Sequence, residues 1–226
     1  MSSDINFSRS RKDVWNAFMV QGAVFSQPDE IPFCPTTLTS IPDRVIAFDQ
    51  TKNRKDISAL VHFYQDDYKF VNAMWHRPWQ MLKRLRNFGG IITPDFSTYL
   101  DMPRAIKVMN TYKMRALGLW LGKQGIPVVN NVRWGNKDSY SYAFAGLPTN
   151  SILAVSTHGC INETANRLRY ECGLATMIER LTPHTLIVYG SAPKSIFNCY
   201  QDAGIHIVNY PSQISLVMKT WRGSNV

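Results

Sequence analysis

The stretch TLIVYGSAPKSIFNCYQDAGIHIVNY, residues 185–210, reads as a β-α-β unit. Thr185–Tyr189 is an unbroken apolar run rich in β-branched residues, the pattern of a strand covered on both faces. Residues 193–203 follow as a helix, with Pro193 suited to its first turn and Gly204 to its end. Ile205–Asn209 supplies the next strand. A strand, a helix and a second strand in this order place the two strands parallel in one sheet.

The same alternation extends towards the N-terminus. Strands are expected at Val45–Phe48, Leu60–Tyr64, Gly90–Thr93, Pro127–Val132 and Ile152–Ser156. Helical patterns occupy 69–87, 103–124 and 163–181, and a last one lies at 212–222. The expected fold is therefore a single α/β domain over 44–226. Its mainly parallel sheet has about six or seven strands, either open and doubly wound or an incomplete barrel. Residues 1–43 differ. Pro28, Pro32, Pro35 and Pro42 punctuate them, so they are expected to form an irregular N-terminal arm. Only 10–24 suits a short helix, with Ser10 as its cap.

Composition fits one globular domain. Of 226 residues, 45% are hydrophobic and 18% charged, which excludes a wholly disordered chain. No apolar run approaches the roughly 18 residues of a membrane span. The polar start MSSDINFSRSRKD lacks a secretory pattern, so the expected location is cytoplasmic. Cys34, Cys160, Cys172 and Cys199 form no C-x-x-C pair, and four reduced thiols are expected.

The net charge of +9 is local. Residues 52–137 carry +10, while 1–51 carry −2 and 138–226 carry +1. Lys52, Arg54 and Lys55 make one cluster. His76, Arg77, Lys83, Arg84 and Arg86 make a second, with Trp75 and Trp79 among them. Arg104, Lys107, Lys113 and Arg115 make a third. If the two helices that carry them share a face of the sheet, they form a basic surface with aromatic rings. Such a surface suits phosphate contact and base stacking in DNA or RNA. A solvated helix face with the tryptophans tucked into the core is the plainer alternative.

The strands end in polar residues: Asp49, Asp66–Asp67, Asp95 and Ser97, Asn131 and Arg133, Thr157 and His158, Gly190 and Ser191. In a parallel sheet these ends share one edge, where α/β proteins bind ligands. Asp95 and His158 are the candidate catalytic pair. Asn131, Arg133, Thr157, Gly190 and Ser191 are candidate ligand-binding residues. Asp95 with Asp49 or Asp66 could hold a divalent cation, Mg or Mn, through oxygen ligands, though no cofactor is required by the sequence. The patterns G-x-x-x-x-G-K-[ST], G-x-G-x-x-G, H-E-x-x-H and G-x-S-x-G are absent, which argues against a P-loop ATPase, a nicotinamide enzyme, a zincin and an ordinary serine hydrolase.

FGGIITPDFSTYLDMP (88–103), the N-x-x-x-x-R-x-x-G pattern of Asn110, Arg115 and Gly118, GIPVVNNVRWG (125–135), AVSTHG (154–159) and TLIVYGS (185–191) occur in that order. Together they resemble the family called domain of unknown function 4417, over about residues 40–215. The resemblance implies a phage- or plasmid-type protein and carries no catalytic role. It places Asp95, Asn131, Arg133, His158 and Gly190 in motifs typical of the family. Three functions fit. The first is a nucleic-acid-binding protein that processes DNA or RNA with a divalent cation at the strand-end edge. The second is a small-ligand protein or hydrolase for a nucleotide or sugar phosphate. The third is an interaction or anti-host protein that docks an acidic partner through its basic face. Oligomeric state is not legible.

Overall fold

The computed structural model describes Asp13 and residues 15–212. Seven strands form one sheet: β1 (Arg44–Ala47), β2 (Asp56–His62), β3 (Phe88–Ile92), β4 (Val128–Asn131), β5 (Ile152–Ser156), β6 (Thr185–Tyr189) and β7 (His206–Tyr210). They stand in sequence order, and every neighbouring pair is parallel. The five main helices are α1 (Pro78–Leu85), α2 (Arg104–Lys123), α3 (Tyr140–Ala143), α4 (Thr164–Leu181) and α5 (Lys194–Asp202). The order never reverses, so of the two expected forms it is the incomplete barrel, a curled half-barrel.

Alternation along the strands explains the layers. Ala59, Val61, Ile91, Leu153, Val155, Leu186 and Val188 are buried in clusters with side chains of α1, α2, α4 and α5. Leu60, Ile92, Val129, Ala154 and Ile187, from the opposite face of the same strands, cluster with Leu38 and Ile41 and with no helical residue. Helices thus cover the convex face, and the concave face is a trough. The segment before β1 closes the end of this trough where strands begin. Leu38 N–H donates to Val128 O, and the Thr36 hydroxyl to Ile152 O, at the first residues of β4 and β5. The Tyr210 hydroxyl donates to Pro42 O.

The expected helix over 69–87 is broken. A π-turn spans Asn72–His76, and α1 begins only at Pro78. Proline has no N–H to continue a preceding helix, so the break falls before it. Within the described part of 10–24 there is one 3₁₀ turn, Ala17–Val20, whose first N–H groups donate to the Asp13 carboxylate, and Ser10 lies outside the described residues. The expected helix at 212–222 lies outside them too, apart from Ser212. Residues 17–38 are irregular yet bury Met19, Val20, Ile31, Cys34 and Leu38. Among the described residues all four cysteines are free, and no helix is long and apolar enough to cross a membrane.

Candidate functional site at the mouth of the half-barrel

The strand C-terminal ends open on a cavity of about 410 Å³. Its floor is aromatic. His62 and Tyr64 continue the inward face of β2 from Leu60, two residues apart, and meet Tyr189 of β6. Ring centroids are 4.3 Å apart for His62–Tyr189 and 4.9 Å for Tyr64–Tyr189. Burial pulls the His62 imidazole down to about 3, so it is neutral near pH 7. Its Nδ1 accepts from the Tyr64 backbone N–H at 3.3 Å. A backbone N–H only donates, so the proton of the neutral ring sits on Nε2.

One wall is a hydrogen-bonded chain centred on Asn131. Its side-chain amide donates to Asp95 Oδ1 at 2.7 Å, and its Oδ1 accepts from the Tyr64 hydroxyl at 3.0 Å. Its backbone N–H donates to Thr93 Oγ1, and its carbonyl accepts from Arg115. Asp95 Oδ2 receives Arg133 Nη1 at 2.6 Å. Burial raises the Asp95 carboxyl above its ordinary range against the pull of Arg133, and the Asp95 charge holds the guanidinium firmly protonated. The Arg133 side chain is 28% exposed, and Asp95 is its one hydrogen-bond partner among the described residues. It also lines two adjoining spaces, one of about 60 Å³ beside Tyr170 and Cys160, and one of about 500 Å³ beside Arg169 and Trp134. The Arg133 side chain therefore borders open volume on more than one side.

Other candidate residues take varied positions. His158 is exposed at the rim, edge-on to Tyr189. Asp49 also lines the mouth, 3.4 Å from Lys69 Nζ. Both Asp95 oxygens are engaged by Asn131 and Arg133, and no group of three or more His, Cys, Asp or Glu side chains suited to a metal gathers among the described residues. Thr157 hydrogen-bonds Ser191 and packs closely on Gly190. The Thr157 hydroxyl donates to Ser191 O at 2.7 Å, and Gly190, at φ +110°, would set a Cβ 2.5 Å from that hydroxyl. These three couple the ends of β5 and β6.

The basic clusters do not make one surface. Trp75, expected on a nucleic-acid face, is buried, with Lys113 Nζ 5.4 Å from its ring. Arg115, read into the third cluster, is 0% exposed. It donates to Asn131 O, Ala143 O and Ala145 O, bracing the back of the site. Arg84 turns in to donate to Phe48 O at 2.7 Å. Arg104 pairs with Asp29, and Lys107 donates to Leu100 O, at the end of α2 nearer the mouth. Arg77 is exposed beside Pro78, at the start of α1. Lys83 and Arg86 are exposed at the other end of that helix, away from the mouth. Trp79 is 56% exposed and stacks on Phe18.

His62, Tyr64 and Lys69 were not singled out by sequence reasoning. The i, i+2 alternation Leu60, His62, Tyr64 would have put the two rings on the trough face. Nothing local marks Arg115 as buried, since a basic residue on an amphipathic helix ordinarily faces water.

A family model described as Domain of unknown function (DUF4417) matches residues 24–211. The chain belongs to that family. The match takes in β1–β7 and every mouth residue except Ser212. The chain is similar to the Gene 1 protein of Mycobacterium phage D29, 32% identical over 164 residues, covering 71% of this chain and 60% of the relative. It is also 32% identical over 154 residues to the Gene 1 protein of Mycobacterium phage L5, covering 66% of each. The chain thus spans about three fifths to two thirds of these phage relatives. No solved structure matches. In this family's N-x-x-x-x-R-x-x-G pattern each residue supports the site from behind. Asn110 donates to Ser97 O at 2.6 Å, and Arg115 braces Asn131. Gly118 lets α2 approach β3, since a Cβ there would lie 2.6 Å from Thr93 Cγ2.

Proposed function

We propose that the protein binds a small phosphorylated ligand, of the nucleotide or sugar-phosphate class, at the mouth of the half-barrel. The observation that carries this reading is Arg133. One arm of its guanidinium is fixed by Asp95 at 2.6 Å, and the side chain, 28% exposed, lines the cavity. A guanidinium held in this way presents paired donors to an oxyanion with little further loss of side-chain freedom. The volume of about 410 Å³ suits a ligand of this size. Lys69, which faces Asp49 at 3.4 Å, lines the same cavity beside Asp49 and Asp66, and Tyr99 and Ser156 offer hydroxyls to a polar ligand.

The test is calorimetric titration of the full chain with AMP, ribose 5-phosphate, inorganic phosphate and ribose. Binding of a phosphorylated compound, weakened at least tenfold (about 1.4 kcal/mol) in Arg133→Gln, supports the reading. Affinity for ribose should be far lower. The reading falls if no phosphorylated compound binds, or if Arg133→Gln binds as tightly as the wild type.

A further inference from the structure

The cations that the mouth does not use gather on another part of the molecule. The crossover from β1 to β2 presents Lys52, Arg54 and Lys55, all exposed. The last turns of α1 and the residue after it present Lys83 and Arg86, also exposed. These two segments adjoin. Asp56 N–H donates to Asn87 O at 2.8 Å, and Arg84 Nη2 reaches Phe48 O. Arg86 Nη2 lies 3.5 Å from Gln124 O, which brings Lys123 of α2 to the same margin.

Acid is sparse here, and Asp49, three residues before Lys52, is engaged by Lys69 at 3.4 Å. Between Asp67 and Asp95 the sequence has no Asp or Glu, but five Lys and Arg. The nearest carboxylate beyond Lys55 is Asp56, and Arg44 occupies it at 2.7 Å. Lys52, Arg54, Lys55, Lys83 and Arg86 have no carboxylate partner among the described residues. Trp79, Lys83 and Arg86 follow one another at i, i+4 and i+7, so an indole 56% exposed, stacked on Phe18 on one side, stands on the same helix face as two cations without a carboxylate partner among the described residues. Lys55, Lys83 and Arg86 lie towards the beginning of the strands, where Asp56 opens β2, while Lys52 stands part-way along the crossover that leaves the mouth at Asp49.

We infer that the 52–55 crossover and the outer face of α1 form a nucleic-acid-binding surface, which holds phosphates through Lys52, Arg54, Lys55, Lys83 and Arg86 and stacks a base on Trp79. The evenly spaced phosphates of a strand match a row of unpaired cations, and an exposed indole suits a single strand best. The surface is independent of Arg133 and of the mouth ligand.

The experiment is fluorescence anisotropy of the full chain with a labelled 30-nucleotide single strand. A duplex of the same sequence and poly-glutamate are run as separate arms across a salt series. Single-strand binding should weaken steeply with salt. The triple variant Lys55→Gln, Lys83→Gln, Arg86→Gln should weaken binding at least tenfold at low salt. It should also flatten the log–log salt slope by about two units, from roughly 0.7 for each lost phosphate contact. Trp79→Ala should weaken the single strand more than the duplex. Arg133→Gln should leave strand binding as it was, which separates failure here from failure at the mouth. No binding at low salt, a triple variant that binds as the wild type does, or poly-glutamate binding as tight as that of the strand would each overturn the inference. The last would mark an acidic protein as the partner instead.

Discussion

The rings of His62 on β2 and Tyr189 on β6 lie 4.3 Å apart, although three strands separate theirs. In a flat sheet four inter-strand steps span about 19 Å. The sheet therefore curls until opposite walls touch, and it does so at the level of the mouth. The contact turns an edge of loops into a floored cavity. It also places a titratable ring where water barely reaches, since His62 is 2% exposed.

Stability should consequently fall as the solution is acidified. His62 has its ordinary value near 6.5 when the chain is unfolded and about 3 when it is folded. Between those limits the unfolded state binds a proton that the folded state refuses. The stabilisation is fully present above pH 6.5 and is lost as pH falls from 6.5 towards 3, with a slope of up to about 1.4 kcal/mol per pH unit. Urea melts at pH 7, 6, 5 and 4 measure this, with His62→Phe as the control. The variant should lose about one proton's worth of slope in that window. An unchanged slope would show that His62 titrates normally in the fold.

Arg115 makes a different prediction because its charge is buried without a carboxylate. Burial pulls the guanidinium down to about 10, still protonated at neutral pH, and three carbonyls around it accept its hydrogens. Arg115→Met fills most of the volume but leaves those carbonyls without donors. At about 1–3 kcal/mol for each orphaned group, a loss of several kcal/mol is expected in urea unfolding. Lysine, a single point donor, should recover only part of it. If Arg115→Met melts as the wild type does, the carbonyls have other donors.

Much of this was legible in the sequence. Runs such as ILAVS and TLIVY marked β5 and β6 residue for residue, because a strand buried on both faces has no competing pattern. Asp95, Asn131 and Arg133 were gathered correctly at one edge, since parallel strands must end together. The curl was not legible, because it arises from contacts between strands distant in sequence. For the same reason His62 and Tyr64 read as part of an ordinary strand. Whether the basic helices share one face was not legible, because helix phase alone does not reveal that Arg115 points inward or that Trp75 lies under Lys113.

Gly118 in the middle of α2 shows how tightly the support is packed. A methyl group there would lie 2.6 Å from Thr93 Cγ2 and 2.7 Å from Cys34 Sγ. Both neighbours are fully buried, so neither can move aside freely. Helix propensity favours alanine by up to about 1 kcal/mol at such a position. Overpacking works the other way, by about 1–3 kcal/mol. Gly118→Ala should therefore be net destabilising in thermal melts. A stabilised variant would mean that α2 shifts outward without penalty.

Asp95 and Arg133 offer the sharpest test, because stability and binding should separate. Asp95→Asn keeps the shape of the side chain, but its amide can accept from only one of Asn131 and Arg133. The partly buried guanidinium then has no counter-charge. Loss of one partner from a fully buried pair costs about 3–5 kcal/mol, and the partial exposure of Arg133 lowers the expectation to about 2. The double variant Asp95→Asn, Arg133→Gln removes both charges and should recover much of that loss in urea melts. It should not recover affinity for a phosphorylated ligand, since the anion-binding fork is gone. The coupling between the two substitutions should be at least 0.5 kcal/mol in stability. Additive effects on stability would show that the 2.6 Å contact does not hold the pair in solution. Recovered binding in the double variant would remove Arg133 from the site.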